Sequence, residues 1–113
     1  MSKPETMMID EVRYVREDSI CNIKSVQDHP YKIGAVYLIR TVTMIDTGRL
    51  VAVTEQELVL EDAAWIADTG RFHDALKKVE FNEVEPFMDG KVIVGRGAII
   101  DAQEISKTQR SQK

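Results

Sequence analysis

The chain alternates between β-branched apolar runs and short polar breaks, and its middle third reads as a meander. Val36-Tyr37-Leu38-Ile39-Arg40-Thr41-Val42-Thr43-Met44-Ile45 is rich in strand formers and leads into the turn vocabulary Asp46-Thr47-Gly48. Leu50-Val51-Ala52-Val53 continues the pattern, Thr54-Glu55-Gln56 breaks it, and Glu57-Leu58-Val59-Leu60-Glu61 resumes it. Short apolar runs joined by tight polar breaks predict consecutive antiparallel strands in a strongly bent sheet. The first run is apolar on both faces, the mark of a strand covered on both sides.

Past the meander the period changes. Glu61-Asp62-Ala63-Ala64-Trp65-Ile66-Ala67 fits either the end of a strand or a helical turn. Asp68-Thr69-Gly70 is punctuation, and Asp68 or Thr69 can cap a helix. Phe72, Ala75, Leu76 and Val79 fall at i, i+3, i+4 and i+7, which predicts a short helix inserted at about 70–79 with Arg71, Asp74, Lys77 and Lys78 facing solvent. Glu83–Phe87 is extended because Glu85 precedes Pro86. Asp89-Gly90 is a hairpin dipeptide, Lys91–Val94 a strand, and Gly95-Arg96-Gly97 a bulge or sharp bend before the last strand, Ala98–Ile105.

The ends are polar. Residues 1–8 read as a flexible leader, Val12–Glu17 as an edge strand, and 18–34 as a connecting loop in which Pro30 forces His29 out of helical geometry. Residues 106–113 form a polar basic tail, disordered by composition. The expected organisation is one small β-barrel domain over 9–105, mostly β with one or two short helices.

Bulk properties narrow the function. The 113 residues fit one domain. The formal net charge of -4 argues against a dedicated duplex-DNA binder, which relies on Lys and Arg to neutralise phosphates. The single cysteine, Cys21, leaves no intrachain disulfide and no cysteine-based zinc site, and fits a reduced compartment. No apolar run approaches the roughly 20 residues of a membrane span, and the first residues lack a signal-peptide pattern. The expected location is the cytoplasm of the cell that makes the chain, with no membrane partner.

Candidate chemistry is sparse. Gly95-Arg96-Gly97 could hold a phosphate with backbone amides and a guanidinium, or could simply turn a corner. Asp46-Thr47-Gly48-Arg49 and Asp68-Thr69-Gly70-Arg71 are one tetrapeptide written twice. The three Gly-Arg steps could bring Arg49, Arg71 and Arg96 to one anion pocket, or could be ordinary turn vocabulary. Trp65 is a candidate for a core position, an interface anchor or a base-stacking platform, and Tyr37 for a stacking or interface role. His29 and His73 have no metal spacing, and the acidic neighbours of Cys21 do not suit an activated thiol. No nucleophile elbow, Walker loop or paired catalytic carboxylate is legible. No enzyme, cofactor or metal is expected.

Two resemblances add to this reading. Tyr14–Ser19, Ile39-Arg40-Thr41, Thr47–Val51, Leu58–Ala63, Trp65 and Val94–Ala98 resemble a group of small phage and prophage proteins without assigned activity. The strand order with Val92–Ile100 closing through Arg96-Gly97 is similar to the Sm-like small barrels. The chain departs from that pattern by its inserted helix, its acidity and the lack of a clear N-terminal helix. With the two-sided apolar strand, the sparse chemistry, the acidic balance and the polar tails, the first resemblance leads to the expectation of a non-enzymatic phage-type structural or assembly protein in the host cytoplasm or the virion, working through copies of itself or other virion proteins. The second implies the alternative, a homo-oligomeric ring binding nucleotide or single-stranded nucleic acid through Arg49, Arg71, Arg96 and an aromatic residue.

Overall fold

Three consecutive strands form the centre of the sheet: β1 (Val36–Thr41), β2 (Ile45–Val53) and β3 (Glu57–Asp68). They belong to a computed structural model that describes residues 26–113; the expected leader and the edge strand at 12–17 lie outside the described residues. Helix α1 (Phe72–Lys78) follows, then β4 (Glu83–Pro86), β5 (Val92–Gly95), a 3-10 turn at Arg96–Ala98, and β6 (Ile99–Ile105). All six strands join one antiparallel sheet in the order β4-β3-β2-β1-β6, with β5 also pairing β3.

The first turn lies earlier than the sequence suggests. The Thr41 hydroxyl accepts the Met44 N–H at 2.9 Å and donates to the Met44 carbonyl at 2.9 Å, closing the turn at Thr41–Met44. A threonine side chain can supply a turn bond that glycine cannot. Asp46, Thr47 and Gly48 sit instead inside the ladder, opposite Ile39, Leu38 and Tyr37. Gly48 serves close packing: a Cβ there would lie 3.1 Å from the Cβ atoms of both Leu60 and Ala63. The second turn falls where expected, with the Glu57 N–H on the Thr54 hydroxyl at 2.9 Å.

The ambiguous 61–67 stretch is strand. Pairing passes from Thr47↔Ala64 to Arg49↔Glu61, so Asp62 and Ala63 share the place opposite Gly48. Asp62 takes a positive φ of 53° there. A second irregularity lies between Leu50 and Ala52. Bulges of this kind kink a strand and raise its twist. The far edge of β3 is thereby divided: Glu57–Leu60 takes β5 and Ala64–Asp68 takes β4.

The expected closed barrel is corrected to an open, strongly bent sheet. The 3-10 turn carries the chain from β5, on the edge of β3, to β6, on the edge of β1, with no ladder between β5 and β6. The Asp89-Gly90 turn is likewise no hairpin, because β4 and β5 both pair β3 rather than each other.

Both faces of the sheet are covered, as the two-sided apolar run predicts. One face packs Tyr37, Ile39, Leu50, Val53, Leu58, Leu60, Ala63 and Val94. The other packs Leu38, Ala64 and Ile66 against Ala75, Val79, Phe81, Val84 and Ile105. Helix α1 occupies the predicted segment and buries Ala75, but neither Asp68 nor Thr69 caps it. The Asp68 carboxylate instead accepts the Gly70 N–H at 2.8 Å, closing the loop before the helix.

Composition predicts disorder for 106–113, yet the segment lies along β4. The backbone of Lys113 donates to and accepts from that of Val84, each at 3.0 Å. Arg110 donates to the carbonyls of Ala63 at 2.7 Å and Phe87 at 3.0 Å, and to the Asp89 carboxylate at 3.0 Å. The polar side chains that read as solvated supply donors where β3 runs between β5 and β4.

Candidate interaction surface

The Thr41–Met44 turn, the end of β3 and the start of β6 form one open groove. It is lined by Arg40, Thr41, Val42, Thr43, Met44, Ile45, Trp65, Ile66, Ala67 and Ile100. The turn is held by the Thr41 hydroxyl, so Val42 and Met44 ride on its outside, 69% and 51% exposed. Ile100 is 63% exposed, on the strand whose Ile99 pairs Thr41. Trp65 stands opposite Asp46 on β2 and is 38% exposed. Large apolar side chains gathered at a groove mark an association surface more often than scattered ones do.

The charges beside the groove are largely satisfied. Arg40 donates to both oxygens of Asp101, through Nε at 2.8 Å, and its guanidinium lies 4.7 Å from the centre of the Phe72 ring. That hydrogen-bonded pair raises the pKa of Arg40 and lowers that of Asp101. Asp46 differs. It is 8% exposed, its Oδ1 has no hydrogen-bond partner among the described residues, and burial pushes its pKa up. Thr47 beside it is fully buried, its hydroxyl likewise without a partner among the described residues.

The sequence-predicted site residues do not gather into one pocket. Arg49 donates to Asp62 at 2.6 Å and to Glu61 at 3.3 Å, and Glu61 also pairs with Lys91. Arg96 donates to the Thr54 carbonyl at 2.7 Å and lies 5.7 Å from the centre of the Tyr31 ring. Arg71 lines a separate polar hollow with Asp74, Lys78, Asn82 and Lys113. Gly95 precedes the 3-10 turn and Gly97 is its middle residue; the Arg96 N–H is taken by the Gln56 carbonyl at 2.7 Å. Two of the three guanidinium groups are thus occupied by the protein's own oxygens.

Of the two aromatic candidates only Trp65 reaches the surface. Tyr37 is 8% exposed; its hydroxyl accepts the Lys32 N–H at 2.8 Å and its ring meets Tyr31 edge-on. It anchors the loop before β1 rather than offering a stacking face. His29 accepts the Tyr31 N–H through Nδ1 at 3.1 Å, and His73 is exposed on α1. Among the described residues no three His, Cys, Asp or Glu side chains are placed to hold a metal ion.

Sequence reasoning missed Val42, Met44 and Ile100, and it missed Asp46. Placing the turn at Asp46–Gly48 puts Val42 and Met44 in a strand and Asp46 at a turn. The Thr41 hydroxyl, three residues before the Met44 N–H and carbonyl that it bonds, was the available signal. Comparison of the chain with family models, curated proteins and solved structures returned no match. Among the described residues no helix is long and apolar enough to cross a membrane.

Proposed function

We propose that the protein is a non-enzymatic assembly component of phage type, acting through contacts between copies of itself or with virion proteins. One observation carries this reading: Val42, Met44, Trp65 and Ile100 leave a large share of their surface open around a single groove. Burying apolar surface contributes about 25 cal/mol per Å², so a partner covering this groove gains directly from it. Strand edges add support. Among the described residues, β5 pairs only with β3 and β6 only with β1. An unpaired strand edge is a template for another chain.

The Sm-like reading enters here as a finer proposal, in an opened form. Its support is the passage from β5 through the 3-10 turn to β6, which places consecutive strands on opposite ends of the bent sheet. The nucleic-acid alternative draws less support, because Arg49 and Arg96 are engaged by the protein's own carboxylates and carbonyls.

Light scattering on the wild type and on Trp65→Asp and Ile100→Asp variants tests the assembly reading. The wild type is expected to run as an oligomer, and each variant to move toward the protomer mass with the fold intact by circular dichroism. A wild type that is a protomer at every concentration, and that binds no virion protein, overturns it.

A further inference from the structure

The segment 106–113 occupies its slot through polar groups alone. Beyond the Arg110 and Lys113 bonds, Gln109 donates to the Val79 carbonyl at 3.0 Å, at the end of α1, and Gln112 reaches Glu85 at 3.4 Å. No apolar side chain of the segment is buried, since the segment has none. The slot, by contrast, has fixed requirements. The outer edge of β4 presents both backbone groups of Val84, and the carbonyls of Ala63 and Phe87 converge on one guanidinium. A strand edge and converging carbonyls recognise a short strand carrying an arginine at one position.

We infer that this slot exchanges its strap: in an assembly it takes residues 106–113 of a second copy of the chain. The inference rests on the assembly reading above and names the segment that links the copies. The occupant follows from the structure, because an identical segment of a second copy satisfies the same donors and acceptors at the same distances. The segment leaves the body after Ile105, buried at the end of β6, and crosses to β4 through Ser106, Lys107 and Thr108. Exchanging an identical element costs little in contacts, because both states make the same ones.

Concentration decides between the two states. A strap on a short tether competes in its own slot at an effective concentration on the order of mM. A dissolved protomer therefore keeps its own strap, and exchange requires copies already held together elsewhere. The groove around Trp65 provides that first contact. Exchange then ties the copies by strand pairing and by the Arg110 clasp, which slows their separation.

The test uses the full-length chain with Cys21→Ser as background. Glu85→Cys and Gln112→Cys are made separately, at exposed positions that face each other across the slot. The two variants are mixed, incubated and mildly oxidised. A cross-linked pair containing one of each, well above the level from either variant alone, is the expected result. Adding Arg110→Ala to the Gln112→Cys chain is expected to lower that yield about tenfold, the effect of losing charge-assisted bonds of about 1.4 kcal/mol. A mixture that gives no such pair, while a chain carrying both cysteines cross-links within itself, overturns strap exchange. Light scattering on the same samples separates the two claims: oligomers without the pair overturn the exchange alone, and protomers overturn both the exchange and the self-association on which it rests.

Discussion

Asp62 accepts a hydrogen bond from Arg49 at 2.6 Å while holding a backbone φ of 53° in the bulge opposite Gly48. The left-handed conformation costs an ordinary residue about 1–2 kcal/mol, and Asp tolerates it better than most because its short side chain finds local partners. The pair raises the pKa of Arg49, chiefly through the hydrogen bond to Asp62. Both side chains are substantially exposed, so the ion pair itself contributes little. The bend therefore depends on the backbone Asp62 permits. Asp62→Val is expected to lower stability by about 1–2 kcal/mol, and Asp62→Gly to be close to neutral, in denaturant titration.

Gly48 faces Asp62 and Ala63 across the same bulge. A methyl group there meets two Cβ atoms at 3.1 Å, and neither can rotate away. Gly48→Ala is expected to cost about 1–3 kcal/mol by overpacking, read as a lower urea midpoint with an unchanged slope.

Asp46 gives the fold an unusual pH response. Its folded pKa is raised by burial, so the native state binds more protons than the unfolded chain once pH exceeds the unfolded value of 3.8. Its contribution favours the fold below that value and is lost as pH rises through the raised folded value. Asp101 and Glu61, whose folded pKa values are lowered by Arg40 and Lys91, act in the opposite sense and favour the fold above their unfolded values. Asp46→Asn is expected to raise stability at pH 7 relative to the wild type and to narrow that difference toward pH 3. Thermal melts across this range check it; equal differences at all pH values would contradict the assignment.

Thr47 buries its hydroxyl at zero exposure, between Leu38 and Ala64 and with no partner among the described residues. Valine has nearly the same shape and no polar atom. Thr47→Val is expected to stabilise the protein by about 1 kcal/mol, measured by the same titration.

Much of this fold was legible because periodicity survives in the individual runs. The apolar faces of Val36–Ile39 and the spacing of Phe72, Ala75, Leu76 and Val79 located a two-sided strand and a helix. The errors came where side-chain chemistry outweighed turn vocabulary. Thr41 closed a turn with its hydroxyl, which left Asp46-Thr47-Gly48 inside a strand. Residues 106–113 looked solvated because composition does not reveal which carbonyls await a donor; Arg110 met those of Ala63 and Phe87. Trp65 reads from the sequence as a core position, an interface anchor or a stacking platform, but the groove around it depends on the displaced turn. The arginines were legible as a set only by sequence spacing, and pairing across bulges sent them to different neighbours.

Trp65 is the only tryptophan and stands in the groove assigned to association, so its emission reports the central claim directly. A dilution series should move the Trp65 emission to longer wavelength over the same concentrations at which light scattering shows the oligomer dissociating. An emission that stays constant through that dissociation, or a protein that never exceeds the protomer mass, would contradict self-association through this groove.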